Sequence, residues 1–100
     1  MAASKKYRTW ETRARQAARQ QLADCNISEP ISTQIKLTVI AHMKGNTLDL
    51  DAVHTAVMDA LEGVAWVNDK QIKQFSPDSR VYGKSKAPYT EIIIERLEDV

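Results

Sequence analysis

Glycine is scarce in this sequence, with three residues in one hundred. A loop that cradles phosphate with backbone N–H groups needs several glycines close together, so no Gly-rich nucleotide loop is present. Cysteine is scarcer still. Cys25 stands alone, which excludes an internal disulfide and fits a reducing cytoplasm. With one thiol and two histidines, His42 and His54, no zinc motif can be composed. The same residues give no convincing nucleophile and base pair. No apolar run approaches membrane-spanning length, and the first twenty residues lack the apolar core of a signal peptide. No membrane partner is expected, and the cytoplasm is the expected location. The net charge is only +1, so the molecule as a whole has no polyelectrolyte pull on a partner.

What is present is locally organised. One hundred residues predict a single domain over 1–100 with a modest core, and oligomerisation is one way to bury more surface. The charge is uneven: residues 1–20 hold Lys5, Lys6, Arg8, Arg13, Arg15 and Arg19 against one acid, Glu11. Either a solvated helix face or a surface facing nucleic acid accounts for such a run. The spacing of Tyr7, Trp10, Ala14, Ala17, Ala18 and Leu22 predicts a helix over 4–23, with Trp10 on its core stripe and most arginines off it. Residues 24–30 read as a connector.

Residues 31–43 alternate with period two and predict a half-buried strand. Ile31, Thr33, Ile35, Leu37, Val39, Ala41 and Met43 lie on one face, and Ser32, Gln34, Lys36 and Thr38 on the other. Val53, Val57, Ala60, Leu61 and Val64 then recur at helical spacing, with Gly63 placed to end the helix. Residues 71–82 read as a strand interrupted by Ser76-Pro77-Asp78-Ser79, where proline implies an edge, a bulge or a hairpin. Residues 89–97 read as a last strand. The order α-β-α-β-β predicts a small α+β domain with a mixed sheet.

The stretch between the first strand and the second helix carries the chemistry. Asp49 and Asp51 lie on one side of the chain if the segment is extended, with Asp51 capping the following helix. Asp69 follows the turn that carries Trp66. Three carboxylates brought together would form a hard-oxygen site for Mg²⁺ or Mn²⁺. A helix over 53–64 is about 18 Å long, and Ala65 to Asp69 reach at most about 17 Å. Asp69 therefore only just returns to the pair, or else serves a site completed by a second subunit. His54, one turn after Asp51, is either a partner of the site or a plain surface histidine. Lys44 is a candidate phosphate contact beside the pair, or an ordinary exposed lysine.

The joint pattern Asp49-Leu50-Asp51, Ala56-Val57-Met58-Asp59-Ala60-Leu61 and Trp66-Val67-Asn68-Asp69-Lys70-Gln71 resembles the RusA family of Holliday-junction resolvases. The likeness covers 31–97 as an order of elements, with the basic helix 4–23 before it. It implies a small homodimeric, Mg²⁺-dependent endonuclease without a small-molecule cofactor. The expected role is cutting four-way DNA junctions in recombination and repair, in a bacterial or phage-encoded setting. The family's metal-binding, catalytic aspartates match Asp49, Asp51 and Asp69, and Asp59 reads as structural. Lys44, Lys70, Arg8 and Arg15 are the expected DNA contacts.

Four departures stand out. Ala52 replaces the usual asparagine, and Thr55 stands where the family has a catalytically important lysine. Asn68-Asp69 stands where two acids are common, and the family's usual N-terminal strand is missing. Losing the lysine removes a cation from the transition state, for which Lys44 or Lys70 are the available substitutes. A catalytically impaired junction-binding module is the alternative, and a structural dimerisation domain is a third reading.

Overall fold

The computed structural model describes residues 5–45 and 49–97, and side chains from residue 9 onward. Helix α1 spans Lys5–Asp24, where alanine, glutamine and arginine supply high helix propensity. Its end is set by Asn26 in the left-handed region at φ 62°. The N–H of Asn26 donates to the Ala23 carbonyl (3.0 Å), and that of Ile27 donates to the Leu22 carbonyl (2.8 Å). This pair of bonds closes the last turn and satisfies carbonyls the helix cannot. Ala14, Ala18 and Leu22 are half-buried as their spacing predicts. Trp10 corrects the expectation of a core residue, because 37% of it stays exposed.

Helix α2 spans Leu50–Leu61, and its stripe Val53, Val57, Ala60 and Leu61 is buried. It starts earlier than expected. Leu50 sits three residues before Val53 and extends the apolar stripe by one turn. The Asp49 carbonyl accepts the first helical bond, from the Val53 N–H at 3.1 Å, so Asp49 holds the cap position and Asp51 lies in the first turn. Helix α2 stops before Val64. Gly63 adopts φ +83°, and its N–H donates to the Trp66 carbonyl at 2.7 Å.

The sheet is built on β1, Ile35–His42, which is shorter than the alternation suggested. Ile31 is buried but not in this strand. Its N–H donates to the Ala65 carbonyl (2.9 Å) and its carbonyl accepts from Val67 (3.2 Å), forming an isolated parallel bridge with Trp66. Along one edge of β1 runs β4, Tyr89–Arg96, antiparallel from Ile35↔Arg96 to His42↔Tyr89. The opposite edge carries β2, Ile72–Phe75, at Ile35 to Leu37, and β3, Arg80–Tyr82, at Ile40 to His42. Both run parallel to β1, so the sheet is mixed and the protein is α+β, as the sequence predicts.

Strands β2 and β3 are one edge strand broken by Ser76-Pro77-Asp78-Ser79, rather than a hairpin. The gap in the ladder is filled by serine. Ser76 N–H donates to the Leu37 carbonyl (2.8 Å), and Ser79 Oγ accepts the Val39 N–H (3.1 Å). Ser76 and Ser79 are accordingly buried polar residues that are bonded, as buried polar groups require, and Thr38 is buried as well.

The residues divide into two compact units, Met1–Ser32 with Ala56–Asp69, and Thr33–Thr55 with Lys70–Val100. The core of the first is Ile31, Val57, Ala60, Leu61, Ala65 and Trp66. That of the second is Ile35, Leu37, Val39, Ala41 and Val53.

Candidate active site

Asp49 and Asp51 belong to the second unit. Both are exposed, and they occupy the cap and the second helical position of α2 rather than an extended lead-in. The physical reason is that aspartate caps as well at one position as at the other, while Leu50 and Val53 share the buried side. A negative charge in the first turn is favoured by the helix dipole. One turn further on, His54 tilts against Phe75 with ring centroids 4.4 Å apart. Burial pushes its imidazole pKa down, against the Asp51 charge, which pulls it up. His54 Nε2 is buried and has no hydrogen-bond partner among the described residues.

Thr55, which stands at the lysine position of the resemblance, is exposed and spends its hydroxyl on the helix. Its Oγ1 donates to the Asp51 carbonyl at 3.0 Å. No positive charge is supplied from this position.

Asp69 belongs to the first unit and is held from two directions. The indole Nε1–H of fully buried Trp66 donates to Asp69 Oδ1 at 2.8 Å. Asp69's own N–H donates to Glu62 Oε2 at 2.8 Å. Its carboxyl pKa is raised, chiefly by burial and further by the charges of Glu62 and Asp59, while the indole bond works the other way. The spacing Trp-x-x-Asp thus joins the first and last of four residues by one side-chain hydrogen bond. The Gln71 that closes the pattern donates Nε2–H to the Thr33 carbonyl (2.9 Å). Sequence reasoning singled out Gln71 as part of the pattern but did not foresee that its side chain bonds the backbone at Thr33. Glu62 was missed altogether, and its signal was its place at the end of α2, seven residues before Asp69.

The carboxylates at Asp49 and Asp51 are exposed, hard-oxygen donors, and such donors fit Mg²⁺ or Mn²⁺. Asp69 offers a third carboxylate with Oδ1 already bonded to the indole. Among the described residues no group of three or more His, Cys, Asp or Glu could hold a metal ion. The pair and the third aspartate are carried by different units.

The expected DNA contacts differ from one another. Lys44 is exposed just after β1, and Lys70 is exposed in the 3-10 turn Asp69–Gln71. Arg8 lies in α1, and its side chain is outside the described residues. Arg15 is engaged within the fold. Its Nε donates to the Ala60 carbonyl (2.8 Å) and its Nη2 to the Asp59 carbonyl (3.1 Å). Glu11 pairs with it at 3.2 Å. It thereby covers the carbonyls at the C-terminal end of α2, where a cation is electrostatically favoured. Its place off the apolar stripe had suggested a phosphate contact, and what the structure shows of it is these bonds within the fold.

No helix of the described residues is long and apolar enough to cross a membrane. No curated protein and no solved structure matches the chain. The family model for the endodeoxyribonuclease RusA does match, over residues 1–95, which takes in both aspartates of the α2 start, the Trp66–Asp69 segment and all of the sheet but the last residue of β4. The chain belongs to the RusA family of endodeoxyribonucleases, whose activity is the resolution of Holliday junctions.

Proposed function

We propose that this chain is a homodimeric, Mg²⁺-dependent endonuclease that resolves four-way DNA junctions in recombination and repair, within a bacterial or phage-infected cytoplasm. The observation that carries this reading is the family match over residues 1–95. Asp49 and Asp51 would hold Mg²⁺ (or Mn²⁺), and Asp69 would supply a third carboxylate either to its own subunit's ion or to that of a second subunit. When bound, such an ion lowers the pKa of a water and offsets charge on the phosphoryl group under attack. The chain's own part is positioning. The start of α2 sets Asp49 and Asp51 two residues apart, and the Trp66 indole fixes the Asp69 carboxylate. Lys44 and Lys70 take backbone phosphates, which makes binding salt-sensitive and indifferent to base sequence. A two-fold dimer meets the two opposed strands of a junction with two equivalent sites.

A second reading is a junction-binding module with impaired cleavage. It is favoured by Thr55, whose hydroxyl is bonded to the helix backbone where the family pattern has a cation. Incubation of a labelled synthetic four-way junction with and without Mg²⁺, beside an Asp49→Asn control, separates the two. Paired nicks that need Mg²⁺ and vanish in the control are expected. Salt-sensitive junction binding without nicks would establish the impaired module.

A further inference from the structure

The β1 residue His42 is paired with Tyr82 of β3 on one side and with Tyr89 of β4 on the other. Directly paired residues share a face of the sheet, so the three rings form one row across it. They are stacked: His42 lies 5.2 Å from Tyr82 at 17°, and 4.1 Å from Tyr89 at 15°. Strands β3 and β4 lie at opposite edges of the sheet. Each tyrosine therefore ends the stack, and the two are 49% and 53% exposed. Burying tyrosine is favourable, so two of them left half in water at the ends of a stack mark a surface built for contact.

The surrounding charge is mostly positive. The loop after β3 carries exposed Lys84 and Lys86, and Lys44 follows β1. Met43 N–H donates to the Tyr82 carbonyl (2.7 Å), and Ser85 N–H donates to the Met43 carbonyl (3.0 Å). These bonds bring the lysine loop and Lys44 to the same end of the sheet as the ring row. Among the described acids, Glu91 comes near the row, with Oε1 3.8 Å from His42 Nε2. Arg80, in the next row, spends its guanidinium on the Pro77 and Ser79 carbonyls.

We propose that Tyr82, His42 and Tyr89 form a stacking platform for an unpaired nucleobase at the branch point of the bound DNA, with Lys44, Lys84 and Lys86 taking the adjoining phosphates. The proposal rests on the nuclease reading and adds a base-contacting surface to it. Every base has a π-face that can extend such a stack, whatever its sequence. A branch point is where a base can leave its pair at low cost, whereas a continuous duplex offers no free face.

The test places a fluorescent adenine analogue at the branch point of a four-way junction and titrates the protein in chelator, so that no strand is cut. Wild type should change the analogue's fluorescence. The double variant Tyr82→Leu/Tyr89→Leu, which keeps apolar bulk without π-faces, should bind about tenfold more weakly and lose the signal. Tyr82→Phe/Tyr89→Phe should keep both, and binding to a continuous duplex should be the same in all three. Junction binding by wild type with unchanged fluorescence, or equal binding by the leucine variant, would overturn the platform and leave the nuclease reading standing. Conversion of a dimer to a monomer by the leucine variant, seen in sedimentation, would assign the row to a contact between two copies and also overturn it. Absence of any junction binding by wild type would remove both readings together.

Discussion

At the scale of single residues, the informative one is Asp69. It accepts the Trp66 indole N–H while burial and the charges of Glu62 and Asp59 disfavour its ionised form. Asn at this position can still accept the indole bond, so Asp69→Asn should fold at least as stably at neutral pH and yet fail to nick a junction. Denaturant melts beside the nicking assay check both halves, and loss of folding would refute the first. Trp66→Phe removes the donor and leaves the carboxylate without it, and should cost roughly 1–3 kcal/mol in a denaturant melt. The raised pKa also has a consequence for pH. Over the window from the ordinary carboxylate range up to the raised value, the folded state holds more of this proton than the unfolded one. Stability of the metal-free protein should therefore fall as pH rises through that window, and Asp69→Asn should flatten this part of the profile. A wild-type profile that rises there, with no difference in the variant, would contradict it.

At the scale of elements, two joints depend on one side chain each. Ser79 Oγ replaces a missing backbone acceptor for the Val39 N–H inside the sheet. Ser79→Ala leaves that buried donor unpaired, and a loss of about 1–3 kcal/mol is expected in chemical denaturation. Amide exchange at Val39 should quicken more than at its neighbours in β1. Arg15 closes α2 by donating to the Asp59 and Ala60 carbonyls. Arg15→Ala should lower stability by roughly 1–2 kcal/mol without altering how junction binding depends on salt. Exposed Arg13 and Arg19 on the same helix give the opposite expectation: their alanine variants should fold normally, and any that contacts phosphate should reduce the salt slope by about one. Equal effects from all three would show that α1 is a single electrostatic surface and that Arg15 has no separate structural part.

At the scale of the whole molecule, the α+β class, the two helices, the interrupted edge strand and the last strand were all legible in the sequence. Apolar periodicity is a local property, and Val53, Val57, Ala60 and Leu61 declare a buried helix face without reference to anything distant. The aspartate positions and the Trp66 turn were legible as a pattern, because spacing survives in a linear reading. Local spacing could not decide which partner an equally apolar or equally polar residue would take. Ile31 continues the alternation of β1, yet it bonds to Ala65 and Val67. Arg15 lies on an ordinary basic run, yet it caps a helix more than forty residues away in the chain. The parallel course of β2 and β3 beside β1, and the meeting of His42 with Tyr82 and Tyr89, depend on pairing between distant segments. The sequence by itself thus determined the elements and the identities of the chemistry-bearing residues, since these follow from side-chain type and period. Tertiary structure alone decided which groups are spent on the fold and which face outward, because long-range hydrogen bonds and strand register are chosen by the whole chain at once.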